Sequence, residues 1–97
     1  MRKAQYQSVA ALIRDLSRRI GVDFRFERHA EEEMRADGVS RLDVQNALRN
    51  CSVVKEQDHD PFVRYLVAGP DTDGRRISVV IEIEQERLTI HVVTVWK

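Results

Sequence analysis

Three histidines (His29, His59 and His91) and one cysteine (Cys51) are the side chains best suited to proton transfer, nucleophilic attack or metal binding. No two of them stand at a short zinc-ligand spacing, so the pattern predicts no metal site. Asp58, His59 and Asp60 crowd one segment, but without a second cluster they read as a hydrated, dispensable turn. The run from Gly69 to Gly74 lacks a following Lys-Ser/Thr and leads into a strand, so it is no nucleotide loop and no cofactor is expected. Cys51 lies at a helix end beside apolar positions, where a buried structural thiol is the simpler reading. His29 sits at a strand-to-helix junction, where an imidazole can face a cleft and take or give a proton near neutral pH. The structural alternative, which is the commoner one for a histidine, is that it packs on the sheet or bonds a backbone carbonyl. His91 falls in mid-strand and reads as solvent-facing.

The elements that would position these groups follow from periodicity. Tyr6, Val9, Ile13, Leu16 and Ile20 step by three or four, predicting a helix over 4–20 whose apolar stripe packs on a partner, either this chain's sheet or a second copy. Val22, Phe24 and Phe26 alternate with Asp23 and Arg25 as a short strand. A helix over 29–37 ends at Gly38, and Ser40 with Asp43 resembles a capping box for a helix from Arg41 to about Asn50 that buries Leu42, Val44, Ala47 and Leu48. Val53–Val54 can open a strand, but Glu56 to Pro61 reads as a polar turn. Phe62–Ala68, the run from Ile77 to Glu84 and the run from Leu88 onward alternate as three strands of an antiparallel meander. In the last, Leu88, Ile90, Val92 and Thr94 share one face and His91, Val93 and Val95 the other. The order α-β-α-α-β-β-β predicts an α+β fold, with helices on one face of the sheet.

Ninety-seven residues fit one domain, read here as a core over 22–97 carrying a helical extension over 1–21. A 42% hydrophobic share supports a core, and 33% charged residues solvate the surface. One cysteine excludes an intrachain disulfide framework and fits a reducing, cytoplasmic setting. No apolar run approaches the roughly 20 residues that cross a bilayer, so no membrane partner is expected. Sixteen basic residues balance sixteen acidic ones, which excludes nucleic-acid coating by bulk charge. The balance is uneven along the chain: seven basic against three acidic residues over 1–29, four against eight over 30–60. A polyanion-facing side and mutual neutralisation explain this equally well.

Phe26-Glu27-Arg28-His29-Ala30, then Met34, Gly38-Val39-Ser40 and Asp43-Val44, with strands ending Val92-Val93-Thr94-Val95-Trp96, resemble a bacterial family, number 4258 in the domain-of-unknown-function series. The resemblance covers roughly Phe24 to Trp96. It implies the fold of RelE-like toxins and related small ribonucleases, a β-α-α-β-β-β core, and with it cytoplasmic RNA cleavage in a toxin–antitoxin type module. By position, His29 is the family's helix-opening His and Thr94 its terminal-strand Thr. Where members often carry Arg before the Met and before the Gly, this chain has Glu33 and Asp37, and Glu27 replaces a Thr or Ser.

Two functions follow. One is a metal-independent endoribonuclease: His29 as base or acid, Arg64 or Arg76 as the cation gathered by strand pairing, Thr94 as a phosphate donor, and Arg25, Arg28 and Arg75 contacting RNA. In that reading His29 is required and His91 is not. The other is a non-catalytic interaction protein of the same fold, an inactive toxin homologue or binding subunit, which the acidic replacements favour. RNA, an antitoxin protein and a second copy docked through the N-terminal helix are the partners these readings name.

Overall fold

The structure, a computed structural model, describes residues 2–59 and 62–97, with side chains described for 8–57 and 63–97. The chain runs α1 (Arg2–Arg18), β1 (Asp23–Phe26), α2 (Arg28–Asp37), α3 (Arg41–Arg49), β2 (Ser52–His59), β3 (Phe62–Pro70), β4 (Arg76–Glu84), a 3-10 turn at Gln85–Arg87 and β5 (Thr89–Trp96). The strands form one sheet in the order β1-β5-β4-β3-β2. β2 to β5 are an antiparallel meander, and β1 joins β5 in parallel. The fold is α+β, and its sheet is mixed.

Two parts of this differ from the expected chain path. The meander has four strands, because Glu56 to His59 is an arm of the β2–β3 hairpin rather than a turn, paired from Ser52↔Ala68 to His59↔Phe62 with one register shift between Val53 and Lys55. Polar residues serve there because β2 is an edge strand, where backbone pairing rather than side-chain burial decides the conformation. The side chain of His59, and Asp60 and Pro61, lie outside the described residues. The second difference is the parallel seating of β1 at the far edge, which turns an all-antiparallel sheet into a mixed one.

The helix boundaries follow local chemistry. Ser40 Oγ accepts from Asp43 N at 3.0 Å while Asp43 Oδ2 accepts from Ser40 N at 2.9 Å, a complete capping box for α3 despite the shorter acid. Gly38 closes α2 at φ 69°, a conformation that costs a residue with a Cβ. Leu42 is 66% exposed rather than buried, since the core face of α3 is carried by Val44, Ala47 and Leu48. Arg49 and Asn50 end that helix one residue earlier than expected.

All three helices described pack on one face of the sheet. Ile13 and Leu16 of α1, Ala30 and Met34 of α2, and Val44, Ala47 and Leu48 of α3 enclose Val67, Ile77, Val79, Ile81, Ile90, Val92 and Val95. The last three do not follow simple alternation. Val80 pairs with Thr94 but Ile81 pairs with Val92, so Val93 is an extra residue, a β-bulge. The bulge resets the face: Val95 points to the helices with Val92, and Thr94 moves to the opposite face, with His91. Strict alternation had put Thr94 and His91 on opposite faces.

α1 is built into this core rather than appended to it. Val9, Ile13 and Leu16 pack against the cluster, with Ile13 and Leu16 essentially inaccessible. The helix stops at Arg18, so Ile20 stands fully exposed beyond the stripe; the Tyr6 side chain lies outside the described residues. Three arginines lock the helix ends together. Arg14 donates to Cys51 O at 2.7 Å, Arg18 to Arg49 O at 2.7 Å, and Arg49 back to Ser17 O at 3.1 Å. Part of the positive excess over 1–29 therefore caps carbonyls at helix ends. Burial pushes the Cys51 thiol up to about 11 despite the Arg14 charge beside it, so it stays protonated and inert at neutral pH.

α3 rides directly on β3. A Cβ added at Gly69 would lie 2.9 Å from the carbonyl carbon of Ala47 and closer still to its oxygen. From this seat Asn46 donates to Pro70 O and Asp71 O, both at 3.1 Å, and Asp43 Oδ1 accepts from Thr72 N at 3.0 Å and Oγ1 at 2.6 Å. Asp71, buried, accepts from the backbone N–H groups of Asp73 and Arg75. The β3–β4 loop is thereby tied to the start of α3.

Two stability effects follow. Gly69→Ala forces the helix off the strand, and overpacking against backbone should cost about 3 kcal/mol or more. Ala47→Gly should not rescue it, because the clash is with the Ala47 carbonyl. Thermal unfolding of the single and double variants reads this directly. The hydroxyl and N–H of Thr72, with the N–H of Ser40, hold Asp43 well below the usual carboxylate range. A depressed folded value means stability that is complete above the unfolded pKa, roughly 3.9, and is lost as pH falls below it. Asp43→Asn should therefore lower stability by about 1 kcal/mol at pH 7. Its gap from the parent should hold above about pH 4 and narrow progressively as pH falls from there towards about 2, as chemical denaturation across that range would show.

Candidate functional site on the open face of the sheet

With the described helices on one side, no described element covers the other face of the sheet. In-register pairing lays a single polar row across it: Gln57 on β2, Arg64 on β3, Glu82 on β4, His91 on β5 and Arg25 on β1. Neighbouring members stand one strand apart, about 4.8 Å. Arg64 Nε donates to Glu82 Oε2 at 2.7 Å, and Glu82 is 9% exposed. His91 is half-buried, and its Nε2 bonds Glu84 Oε1. Arg25 Nε donates to Asp23 Oδ2 at 2.8 Å, a bond that raises the Arg25 pKa and keeps it charged. Arg87 stands 3.6 Å from Glu84. Three pairs, Arg64–Glu82, His91–Glu84 and Arg25–Asp23, thus stand side by side along this row.

Chemically, such a row can move a proton and face an anion. A carboxylate fixes the ring of His91 and leaves its second nitrogen for a ligand. Glu82 engages one N–H of Arg64 and leaves the rest of the guanidinium fork available. Beyond the row, Leu66, Val80 and Thr94 form the middle of the face, and Trp96, 38% exposed, pairs in register with Ser78 further along. Among the described residues, no three His, Cys, Asp or Glu side chains are grouped to hold a metal ion. No helix among them is long and apolar enough to cross a membrane.

The residues singled out from sequence divide between the two sides. Arg64, Thr94, Arg76 and Arg25 share the open face. Arg64 and Arg76 are not gathered by strand pairing: Arg64 pairs with Glu82 and Arg76 with Pro70, so about 20 Å of β4 separates them. Arg75 is exposed in the β3–β4 loop. His29 and Arg28 stand on the helical side, in the first turn of α2. Arg28 is 95% exposed, 3.7 Å from Glu32. His29 is 70% exposed and lies 3.5 Å from Glu33, whose other oxygen accepts from Val95 N at 3.1 Å.

That last bond explains one acidic replacement. β1 ends at Phe26, so the outer edge of β5 beyond Val92 has no strand beside it. The Glu33 carboxylate takes up the Val95 N–H that a strand would have met. Glu27, by contrast, occupies the N-cap of α2 and makes no side-chain cap bond, so its replacement of Thr or Ser forgoes a cap.

Glu82 and Glu84 were not among the residues singled out, and His91 was set aside from sequence as a solvent-facing residue that cleavage does not require. Each reads from sequence as an ordinary polar position in an alternating strand. Only the pairing of β5 with both β4 and β1 brings them between Arg64 and Arg25.

No curated protein and no solved structure is matched by this chain. The family described as Domain of unknown function (DUF4258) matches residues 26–97, from the last residue of β1 through β5. That span is about three-quarters of the chain and contains the Phe26–Ala30 and Val92–Trp96 segments that carried the resemblance, so the chain belongs to the DUF4258 family.

Proposed function

We propose that this chain is a metal-independent endoribonuclease of a toxin–antitoxin type module, and that it works on the open face of its sheet. The observation that carries the reading is His91, oriented by Glu84 and in register with Glu82–Arg64 on one side and Arg25 on the other. Cleavage would begin when the free nitrogen of His91 takes the 2′-OH proton. O2′ then attacks the adjacent phosphorus, and the P–O5′ bond breaks as O5′ takes a proton from water. The products are a 2′,3′-cyclic phosphate and a 5′-OH. Arg64 supplies charge to the developing phosphorane, and Thr94 donates to a non-bridging oxygen. An antitoxin of such a module would cover this same face.

This assigns the proton to His91 and not to His29. The other groups named for the chemistry share the open face, and His29 sits beyond it on the helical side, tied to Glu33.

A specific observation favours the second reading, a non-catalytic binding subunit. Arg64 and Arg25 are already paired with carboxylates, so the row is close to neutral, and the middle of the face is apolar. That is also the surface a protein partner would cover.

Cleavage of a defined RNA oligonucleotide in EDTA separates these readings. The ribonuclease reading expects 2′,3′-cyclic phosphate ends. It expects His91→Ala to lower the rate by on the order of 100-fold or more, with little change in melting temperature. His29→Ala should stay within about twofold of the parent. Full activity in a folded His91→Ala protein would overturn the assignment. A well-folded parent that cuts no RNA would favour the binding subunit.

A further inference from the structure

At the opposite end of the open face from His91, the β3–β4 hairpin and the end of α3 enclose a pocket of about 280 Å³. Its floor is Ala68, Gly69 and Pro70; its walls are Asn50 and Ser52 on one side, and Gly74 and Arg76 on the other. Arg76 lines it and makes no side-chain hydrogen bond or ion pair among the described residues. The Ser52 hydroxyl likewise has no partner among them. The Asn50 amide is engaged within the helix end, its Nδ2 donating to Asn46 O at 2.9 Å and its Oδ1 accepting from Arg18 at 3.4 Å. No carboxylate lines the pocket, because Asp71 is turned inward onto the loop's own N–H groups. A guanidinium and a hydroxyl with no partner among the described residues, facing an open pocket with no acid in its lining, form a receptor for a tetrahedral oxyanion.

We propose that this pocket binds a backbone phosphate of the RNA at a distance from the bond that is cut. Arg76 is then a substrate-positioning residue rather than the catalytic cation. The inference rests on the ribonuclease reading and gives it a substrate class: single-stranded RNA lying along the strands. Arg76 and Glu82 are the two ends of the path, about 20 Å apart on β4. Val80 and Thr94 lie between them, and Trp96, opposite Ser78, offers a ring on which a base can stack. An extended segment on the order of four nucleotides spans this length, the short end of single-strand site sizes.

The test is a series of oligoribonucleotides of increasing length, cut by the parent and by Arg76→Ala. For the parent, kcat/KM should rise steeply once the substrate reaches from the cleavage row to the pocket. In Arg76→Ala that length advantage should fall about tenfold or more, mainly through KM, with Arg76→Lys recovering part of it. Unfolding curves check that both variants fold, and Ser52→Ala, on the opposite wall, should weaken the same advantage. A length dependence unchanged in a folded Arg76→Ala protein overturns the proposal.

Failure of the ribonuclease reading is recognised separately, by titrating inorganic phosphate against backbone amide resonances. Saturable shifts at Ser52, Gly74 and Arg76 that vanish in Arg76→Ala support an oxyanion pocket even in a protein that cuts nothing. No shift at these positions removes the pocket whether or not RNA is cut.

Discussion

The closeness of α3 to β3, with Gly69 under the Ala47 carbonyl, is the constraint on which the architecture turns. Any side chain at position 69 would lift the helix and separate Val44 and Leu48 from the strand residues they cover. The same contact sets Asn46 over Pro70 and Asp71, and Asp43 over Thr72, so the β3–β4 loop takes its shape from a helix rather than from its own turn residues. Through that loop the helical side determines where Arg76 stands. One tight approach on the covered face thus shapes the far end of the open one.

The arginines show how charge is distributed by structure more than by count. Arg14, Arg18 and Arg49 satisfy backbone carbonyls where helices end. Arg41 pairs with Glu31 and lies 5.1 Å from the centre of the Phe26 ring, pinning α2, α3 and β1 together. Arg25 and Arg64 are held by carboxylates in the cross-strand row. Arg76 has no such partner among the described residues and faces a pocket without acids. A chain of zero net charge can thus present a cationic site, because most of its positive side chains are committed elsewhere.

How much was legible in the sequence differs between elements for physical reasons. Helices announce themselves by local rules: the Val9-Ile13-Leu16 stripe, the Ser40–Asp43 box and the Gly38 stop all act within a turn or two of their own residues. The α+β class and the helices on one face follow from them. Pairing is non-local, and there the reading fell short. Glu56 to His59 lacks strand character and is a strand only because β3 lies beside it. The bulge at Val93 shows in the sequence only as the Val92–Val93 doublet between two polar positions, yet it decides that Thr94 shares a face with His91. The polar row on the open face was least legible, since His91 and Glu82 are far from Arg64 in the chain and are joined to it only by register. His29 stood out by its junction, and its neighbour Glu33 proves to be occupied in finishing the edge of β5.

The central claim is that the bare sheet face, and not the helical side near His29, meets single-stranded RNA. Methyl resonances test it most directly, because the methyls of Leu66, Val80 and Thr94 lie on one face and those of Ile77, Val79 and Ile81 on the other. Titration with a 2′-O-methyl oligonucleotide, which cannot be cleaved, should shift the first set saturably and leave the second nearly still. Shifts centred instead on Ala30 and Met34 of α2, with Leu66, Val80 and Thr94 unmoved, would contradict it.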